Sequence, residues 1–186
     1  MELSIDMNKR YSFADIIKGV FGDLLVELYD GIIKVMSAPL DIHADISFNT
    51  TMLFGSLLKK HKGKCKIRHA PYAVRFSDDT VVHPDVCVIC DLKKIDKYGC
   101  IGAPDLIVEI LSPSTASRDW RYKYDLYEKH GVREYWIIDP ANNTVTVFIL
   151  KDGKYDDAVV YEEGDIPIFI FDNELISLTE IFLSKY

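Results

Sequence analysis

Long hydrophobic runs are missing from this sequence of 186 residues, although 48% of its residues are hydrophobic. The longest apolar stretches, 106–108 and 166–171, have the length of β-strands and carry Asp, Glu or Pro at their edges. A membrane-spanning helix needs about 20 consecutive apolar residues. Residues 1–10 also lack the apolar centre and small-residue cleavage pattern of a secretory signal. We therefore expect no membrane segment and a cytoplasmic location.

Internal repeats, low-complexity tracts and linker-like segments are also missing. Charged residues make up 27% of the chain, a share typical of folded proteins, which argues against disorder. A chain of 21.3 kDa can bury a core without help from disulfides or zinc. We expect one domain that covers residues 1–186.

Cysteine is scarce, and its four copies do not form the ligand pattern of a zinc site. Cys87 and Cys90 have C-x-x-C spacing, but they lie in a run, 85–90, that predicts a β-strand. Side chains three positions apart in a strand point to opposite faces, and Cys65 and Cys100 form no second pair with ligand spacing. The pattern favours ordinary buried thiols in a reducing compartment over a structural or redox role.

The net charge of −7 disfavours indiscriminate binding to nucleic acid. Basic residues nevertheless cluster between positions 59 and 68, and the members considered for nucleic-acid contact are Lys62, Lys64, Lys66 and Arg68. The last three alternate with Cys65 and Ile67, which predicts a strand with one cationic face. That face has two interpretations: an edge strand protected from aggregation by its lysines, or a stripe that follows phosphate groups.

Hydrophobic periodicity predicts a mixed α/β fold. A hairpin is expected around Asp30-Gly31, and short helices are expected near the two ends, after Ser12 and after Ser177. The longer predicted helices cover 42–60 and 118–130, with Ser117 as the N-cap of the second and Gly131 after its last turn. The predicted strands are 64–76, 81–90, 103–111, 132–139, 144–150 and 155–161. We expect a mixed central sheet flanked by helices, with β-hairpins added at both ends.

Two carboxylates and a lysine are the candidate chemical groups. Glu109 interrupts the apolar strand LIVEIL, and a buried carboxylate without a partner or a metal costs several kcal/mol. Alternation places Asp105 and Glu109 on one face of this strand. If the strand that begins at Asp85 is its neighbour, Asp85 and Glu109 can converge on one cation with oxygen ligands, Mg²⁺ or Mn²⁺. Taken alone, Asp85 after a proline is also a common turn residue.

Lys123 lies 14 residues beyond Glu109, on a helix face that includes Asp119 and Tyr127. Its ammonium group could orient a water or stabilise developing phosphorane charge. The alternative is a surface ion pair between Lys123 and Asp119. Two carboxylates and a lysine around a divalent cation suffice to activate water against a phosphodiester.

Several strings of this sequence resemble the Uma-type restriction endonuclease family. The strings are ELYDG (27–31), PDV (84–86), PDLIVEILSPST (104–115) and GVREYWIIDP (131–140), together with His43, Asp119, Lys123 and Tyr127. The resemblance covers nearly the whole chain. It implies the fold of the restriction-endonuclease-like, PD-(D/E)XK nuclease superfamily.

The resemblance implies a magnesium-dependent endonuclease that hydrolyses DNA. Asp85 and Glu109 would be the metal ligands, Lys123 the catalytic lysine, and Glu27 and His43 residues that line the site. Asp105, which shares a strand face with Glu109, is a further candidate for this lining. One departure concerns position 111, where the superfamily's lysine usually stands and this chain has Leu. The alternative is therefore a catalytically silent nuclease-fold module that binds nucleic acid or a protein partner. Cutting both strands of DNA needs two sites, which makes a homodimer an expectation.

Overall fold

The computed structural model describes residues 5–6, 8–60, 64–112 and 119–183 of the chain. The described residues form four α-helices, numbered here in chain order: α1 Phe13–Ile17, α2 Asp41–Lys60, α3 Tyr124–His130 and α4 Leu178–Ile181. Fourteen strands are described: β1 Val26–Tyr29, β2 Ile32–Val35, β3 Lys66–His69, β4 Val74–Arg75, β5 Val81–Val82, β6 Val86–Ile89, β7 Cys100–Ile101, β8 Leu106–Ile110, β9 Glu134–Asp139, β10 Thr144–Lys151, β11 Lys154–Tyr155, β12 Val159–Tyr161, β13 Asp165–Ile168 and β14 Glu174–Ser177. A π-helical turn, Asp119–Lys123, precedes α3, and two 3₁₀ turns span Leu92–Lys94 and Phe169–Phe171.

A seven-stranded mixed sheet forms the centre of the fold. Its strand order is β11-β10-β9-β8-β6-β3, and β12 pairs with β10 beside this path. Strands β8 and β9 are parallel, whereas β6 and β8 are antiparallel. Parallel neighbours need a crossover connection, and α3 lies in the segment that joins β8 to β9.

Alternation along the strands gives the central sheet two apolar faces. On one face, Val86 and Val108 pack with Phe54 of α2 and with the C-terminal hairpin β13–β14. On the other face, Cys87 and Ile107 pack with Tyr127 of α3. The period-two prediction for β6 and β8 is confirmed, because a strand buried on both faces presents successive side chains to opposite layers.

A second sheet of five short strands covers part of the α3 side. Its order is β2-β1-β5-β4-β7, and Val74 and Val82 join it to the core on that side. The predicted hairpin is confirmed, since β1 and β2 pair antiparallel around Asp30 and Gly31. Both turn residues have positive φ angles, 50° and 80°, which suits Asp and Gly.

Two strand predictions were wrong in their extent. The predicted strands 64–76 and 81–90 each divide into two short strands that belong to different sheets. Pro71 and Pro84 lie in the gaps between these halves, and proline cannot donate a hydrogen bond to a sheet. The predicted strand 155–161 also divides, into β11 and β12.

The expectation for the cysteines was wrong in part. Cys65 and Cys90 form a disulfide between the ends of β3 and β6, whereas Cys87 and Cys100 are free and buried. Burial raises the pKa of the Cys87 thiol, as expected for a group in the core. The predicted N-cap Ser117 lies outside the described residues.

Across the described ranges, no helix is both long and apolar enough to span a membrane. Gly131 has a φ of 84° immediately after α3, as its predicted role in ending that helix requires.

Candidate functional site

One cleft collects most of the residues singled out in the sequence. It has a volume of about 530 Å³ and lies between the central sheet, the β1–β2 hairpin and the start of α2. Its lining includes the carboxylates Glu27, Asp85 and Glu109, the imidazoles His43 and His83, and the lysines Lys34 and Lys123. Asp105 does not belong to this lining.

Asp85 and Glu109 occupy opposite positions on neighbouring strands. Val86 pairs with Val108 in the antiparallel ladder, and one further step places Asp85 opposite Glu109 on the same face. Asp85 Oδ2 accepts a hydrogen bond of 2.7 Å from the backbone N–H of Ile110. This bond fixes the Asp85 carboxylate at the edge of β8, beside Glu109.

Lys123 lies between two buried carboxylates. Its Nζ atom is 2.8 Å from Oε1 of Glu109 and 3.8 Å from Oε1 of Glu27. The Lys123 side chain is 6% exposed, and each carboxylate is 4% exposed. Lys123 is therefore an internal cation of the cleft and does not lie on the surface.

The turn before α3 explains how Lys123 reaches the cleft. Lys123 ends the π-helical turn, and Tyr127 follows one turn later on α3, so both side chains face β8. The Tyr127 hydroxyl donates a hydrogen bond of 2.5 Å to the same Glu109 oxygen that Lys123 contacts. Burial and the Glu109 charge raise the pKa of Tyr127 well above its usual value, which keeps this hydroxyl a donor.

Glu27 is held as an anion on the opposite side of the cluster. Its Oε1 accepts a hydrogen bond of 3.0 Å from the backbone N–H of His83, and its Oε2 accepts one of 2.6 Å from the Tyr29 hydroxyl. Burial alone would raise the pKa of Glu27. Lys123, His83 and Tyr29 together outweigh burial, and the pKa of Glu27 is lowered.

Two imidazole groups complete the polar lining. Nε2 of His43 lies 3.0 Å from Oδ2 of Asp85, but it is buried and makes no hydrogen bond to the described residues. Nδ1 of His83 is also buried, and it makes no hydrogen bond to any of the described residues. Burial lowers the pKa of His83, which favours its neutral form.

The donor set fits a hydrated magnesium ion better than a closed metal site. Mg²⁺ keeps several waters and binds through one or two carboxylates plus substrate phosphates, which is what Asp85 and Glu109 can provide. In the ranges that the structure describes, no three His, Cys, Asp or Glu side chains converge as a metal cluster. A closed zinc-type site, which needs about four protein ligands, does not match this arrangement.

The structure does not bring every candidate residue to the cleft. Asp105 Oδ2 accepts a hydrogen bond of 2.7 Å from the Cys90 N–H, and its Oδ1 lies 3.3 Å from Arg133. The expectation that Asp105 lines the site is corrected, because four residues along a strand separate it from Glu109 by about 13 Å.

The basic residues of β3 lie beside the cleft rather than in it. The expected edge position is confirmed, since β3 is the last strand of the central sheet in the described residues. Lys66 and Arg68 pair with Ile89 and Cys87, on the face that carries Asp85. Lys64 is exposed just before this strand, and Lys62 lies outside the described residues.

Sequence reasoning missed His83, Tyr29 and Lys34, and it gave Tyr127 no role. The available signal was position: His83 stands two residues before Asp85, and Tyr127 stands four after Lys123. Tyr29 stands two residues after Glu27 in β1. Spacing alone could not show that Tyr29 donates a hydrogen bond to the Glu27 carboxylate.

The fold is that of a nuclease-like protein of known structure. The chain superposes on the crystal structure of a putative nuclease belonging to DUF820 from Anabaena variabilis, with a TM-score of 0.75. The two sequences are 21% identical, and the match covers 92% of this chain and 97% of the other. This likeness confirms the predicted fold class.

The family follows from the sequence match. Residues 20–173 match the model of the Uma2 family, described as "putative restriction endonuclease", and the chain belongs to this family. It is also similar to an uncharacterized protein of Synechocystis sp., with 28% identity over 128 residues. That match covers 68% of this chain and 66% of the relative, so the chain spans just under two thirds of the relative's length. The family resemblance read from the motifs is confirmed.

Proposed function

We propose that this chain is a divalent-metal-dependent endonuclease that hydrolyses DNA phosphodiester bonds. The observation that supports it best is the convergence of Asp85, Glu109 and Lys123 on one cleft, with Lys123 Nζ 2.8 Å from Glu109 Oε1. Family membership supports the broader assignment to nuclease-like proteins.

Asp85 and Glu109 would hold the cation, Mg²⁺ or Mn²⁺, at the bottom of the cleft. Once bound, the ion would supply Lewis acidity to the phosphoryl group and a water of lowered pKa. The backbone N–H of Ile110 keeps Asp85 oriented, and Tyr127 and Lys123 keep Glu109 oriented. Fixing both carboxylates before substrate arrives removes reorganisation from the reaction step.

Lys123 would act on the substrate through its charge. Its ammonium group lies beside Glu109 and also lines the cleft. It can therefore stabilise the negative charge that develops on the phosphoryl oxygens. Glu27 balances Lys123 from the other side and positions it. Burial of the whole cluster strengthens these interactions, because few water molecules screen them.

The test is cleavage of supercoiled plasmid DNA by the purified chain with Mn²⁺ or Mg²⁺, compared with the same reaction in EDTA. The wild-type chain should nick or linearise the plasmid only with metal. Direct linearisation would support the homodimer expected from the sequence, because both strands are then cut in one encounter. Accumulation of nicked circles alone would count against it.

The decisive variant is Glu109→Gln, which keeps hydrogen-bond acceptance toward Tyr127 but removes the charge that a cation needs. It should lose cleavage by a factor of about 100 or more, as removal of one charge-stabilising group does in enzymes. Asp105→Asn is the matched control, since it changes a carboxylate on the same face of β8 outside the cleft. Cleavage by Glu109→Gln at the rate of Asp105→Asn and of the wild-type chain would exclude Glu109 from the mechanism. A folded wild-type chain that binds DNA without cutting it would favour the catalytically silent module.

A further inference from the structure

One wall of the cleft is apolar and open to solvent. It is formed by Leu25, Val35, Met36, Pro39 and Leu40, which come from the β1–β2 hairpin and the segment before α2. Leu25 is 37% exposed, Val35 45% and Leu40 59%. Exposed apolar side chains that gather around a cavity mark a binding surface, because water contact with them is unfavourable.

This wall does not match an intact DNA duplex. A duplex offers proteins its charged backbone and the edges of its bases, whereas the faces of its bases are stacked on one another. The apolar side chains of the wall therefore find no apolar surface to contact on a duplex whose bases stay stacked.

An unpaired nucleotide matches both parts of the cleft. Proteins that accept unstacked or flipped bases place the base between apolar or aromatic side chains. The cavity of about 530 Å³ falls within the range of about 300–1,000 Å³ that small-molecule sites occupy. A base against Leu40 and Val35 would leave its phosphate toward the carboxylates and Lys123.

The basic edge of β3 supplies a path for the rest of the strand. Ala70 lines the cleft and directly follows β3. His69 pairs with Val86 in the ladder between β3 and β6, so one further step places Ala70 opposite Asp85. Arg68 and Lys66 are two and four residues back on the same face, and same-face residues in a strand are about 7 Å apart. A single nucleic-acid strand that leaves the cleft along β3 therefore meets two cationic side chains in succession.

We infer that the cleft takes an unpaired DNA nucleotide, from a single strand or extruded from a duplex, with its base on the apolar wall. This inference rests on the proposed function, because it assumes that nucleic acid occupies the cleft. It adds the substrate class: single-stranded or locally unpaired DNA rather than intact duplex.

The test measures binding by fluorescence anisotropy with Glu109→Gln, so that cleavage does not interfere, at one fixed salt concentration. The probes are a labelled single strand and its intact duplex. The single strand should bind at least about tenfold more tightly, a difference that corresponds to about 1.4 kcal/mol. A 2-aminopurine base in the strand should brighten on binding, because a base on the wall leaves the stack of its neighbours.

Leu40→Asp tests the wall while preserving the fold, because residue 40 directly precedes α2 and Asp is a favourable N-cap. In the Glu109→Gln background it should weaken single-strand binding about tenfold and abolish the 2-aminopurine signal. Leu175→Asp is the control, with a Leu of similar exposure, 56%, in β14 and outside the cleft. It should change neither reading.

The outcomes separate this inference from the proposed function. Equal or tighter binding of the duplex, or equal effects of Leu40→Asp and Leu175→Asp, would overturn the inference even if the wild-type chain cuts plasmid DNA. Single-strand preference that is lost in Leu40→Asp would support the inference even if no cleavage is found with either metal.

Discussion

Replacing Lys123 by Met tests whether the buried charge cluster is a single energetic unit. In the folded chain, the Lys123 ammonium lies 2.8 Å from Glu109 and 3.8 Å from Glu27, with all three side chains almost fully buried. Met is similar to Lys in length and flexibility. It removes the ammonium group that, among the described residues, contacts both Glu27 and Glu109. Breaking a buried ion pair in this way typically costs about 3–5 kcal/mol.

The assay is urea unfolding followed by far-UV circular dichroism and tryptophan fluorescence. We propose that the chain is one domain, so the two probes should report one coincident transition. Lys154→Met is the matched control: Lys154 pairs with Glu128 at 2.6 Å, but its side chain is 80% exposed. An exposed pair contributes at most about 1 kcal/mol. Equal destabilisation by Lys123→Met and Lys154→Met would refute the reasoning.

A double variant isolates the coupling within the cluster. The double variant Lys123→Met/Glu109→Gln keeps Glu27 as the one buried carboxylate of this cluster. Glu27 still accepts hydrogen bonds from the backbone N–H of His83 and from the Tyr29 hydroxyl. Coupling between contacting residues is about 0.5–3 kcal/mol, so the double variant should be more stable than Lys123→Met alone. Lys123 is the strongest of the groups that lower the pKa of Glu27 against the effect of burial, so removing Lys123 should raise this pKa. The loss in Lys123→Met should therefore shrink as the pH falls and Glu27 becomes protonated.

Two further predictions concern buried hydrogen bonds. Glu134 accepts bonds from Trp136 Nε1 and from the backbone N–H groups of Phe169 and Ile170, and burial raises its pKa from 4.5 to about 7. A raised folded-state pKa favours the protonated form, so stability should fall by about 3 kcal/mol as the pH rises from 4.5 to 7. Urea titrations across that window should show this slope in the wild-type chain and not in Glu134→Gln; equal slopes would remove Glu134 as the cause. Tyr127→Phe, which deletes the 2.5 Å bond to Glu109, should lower the unfolding free energy by about 1–3 kcal/mol, and an unchanged urea midpoint would contradict this.

Local patterning was enough to predict the central part of the fold. Period-two alternation correctly placed Asp85 and Glu109 on one face, because β6 and β8 are buried on both sides and cannot slip by one residue. The polar Glu109 within an apolar strand correctly indicated compensation by a partner, and Lys123 and Tyr127 contact it.

Pairing between distant segments could not be predicted from the same pattern. Sharing a face with Glu109 suggested that Asp105 lines the site, although four residues of strand separate the two by about 13 Å. The runs 64–76 and 81–90 have strand composition throughout, so composition did not show that their halves join different sheets. The contact of His83 with Glu27 joins β1 to the segment between β5 and β6, and a contact between residues 56 positions apart leaves no local signal in the sequence.

Position 111 and Lys123 together explain how the cleft differs from the common superfamily pattern. Leu111 follows Glu109 by two residues and packs against the apolar cluster on the α3 side of the sheet. A lysine there would have to remove its ammonium from that cluster, which is costly without a partner. The π-helical turn instead carries Lys123 to 2.8 Å from Glu109. Under the proposed function, a helix that packs on the same face can thus deliver the charge that the strand does not, because the proposed role of Lys123 requires a position in space near Glu109 and not a position in sequence.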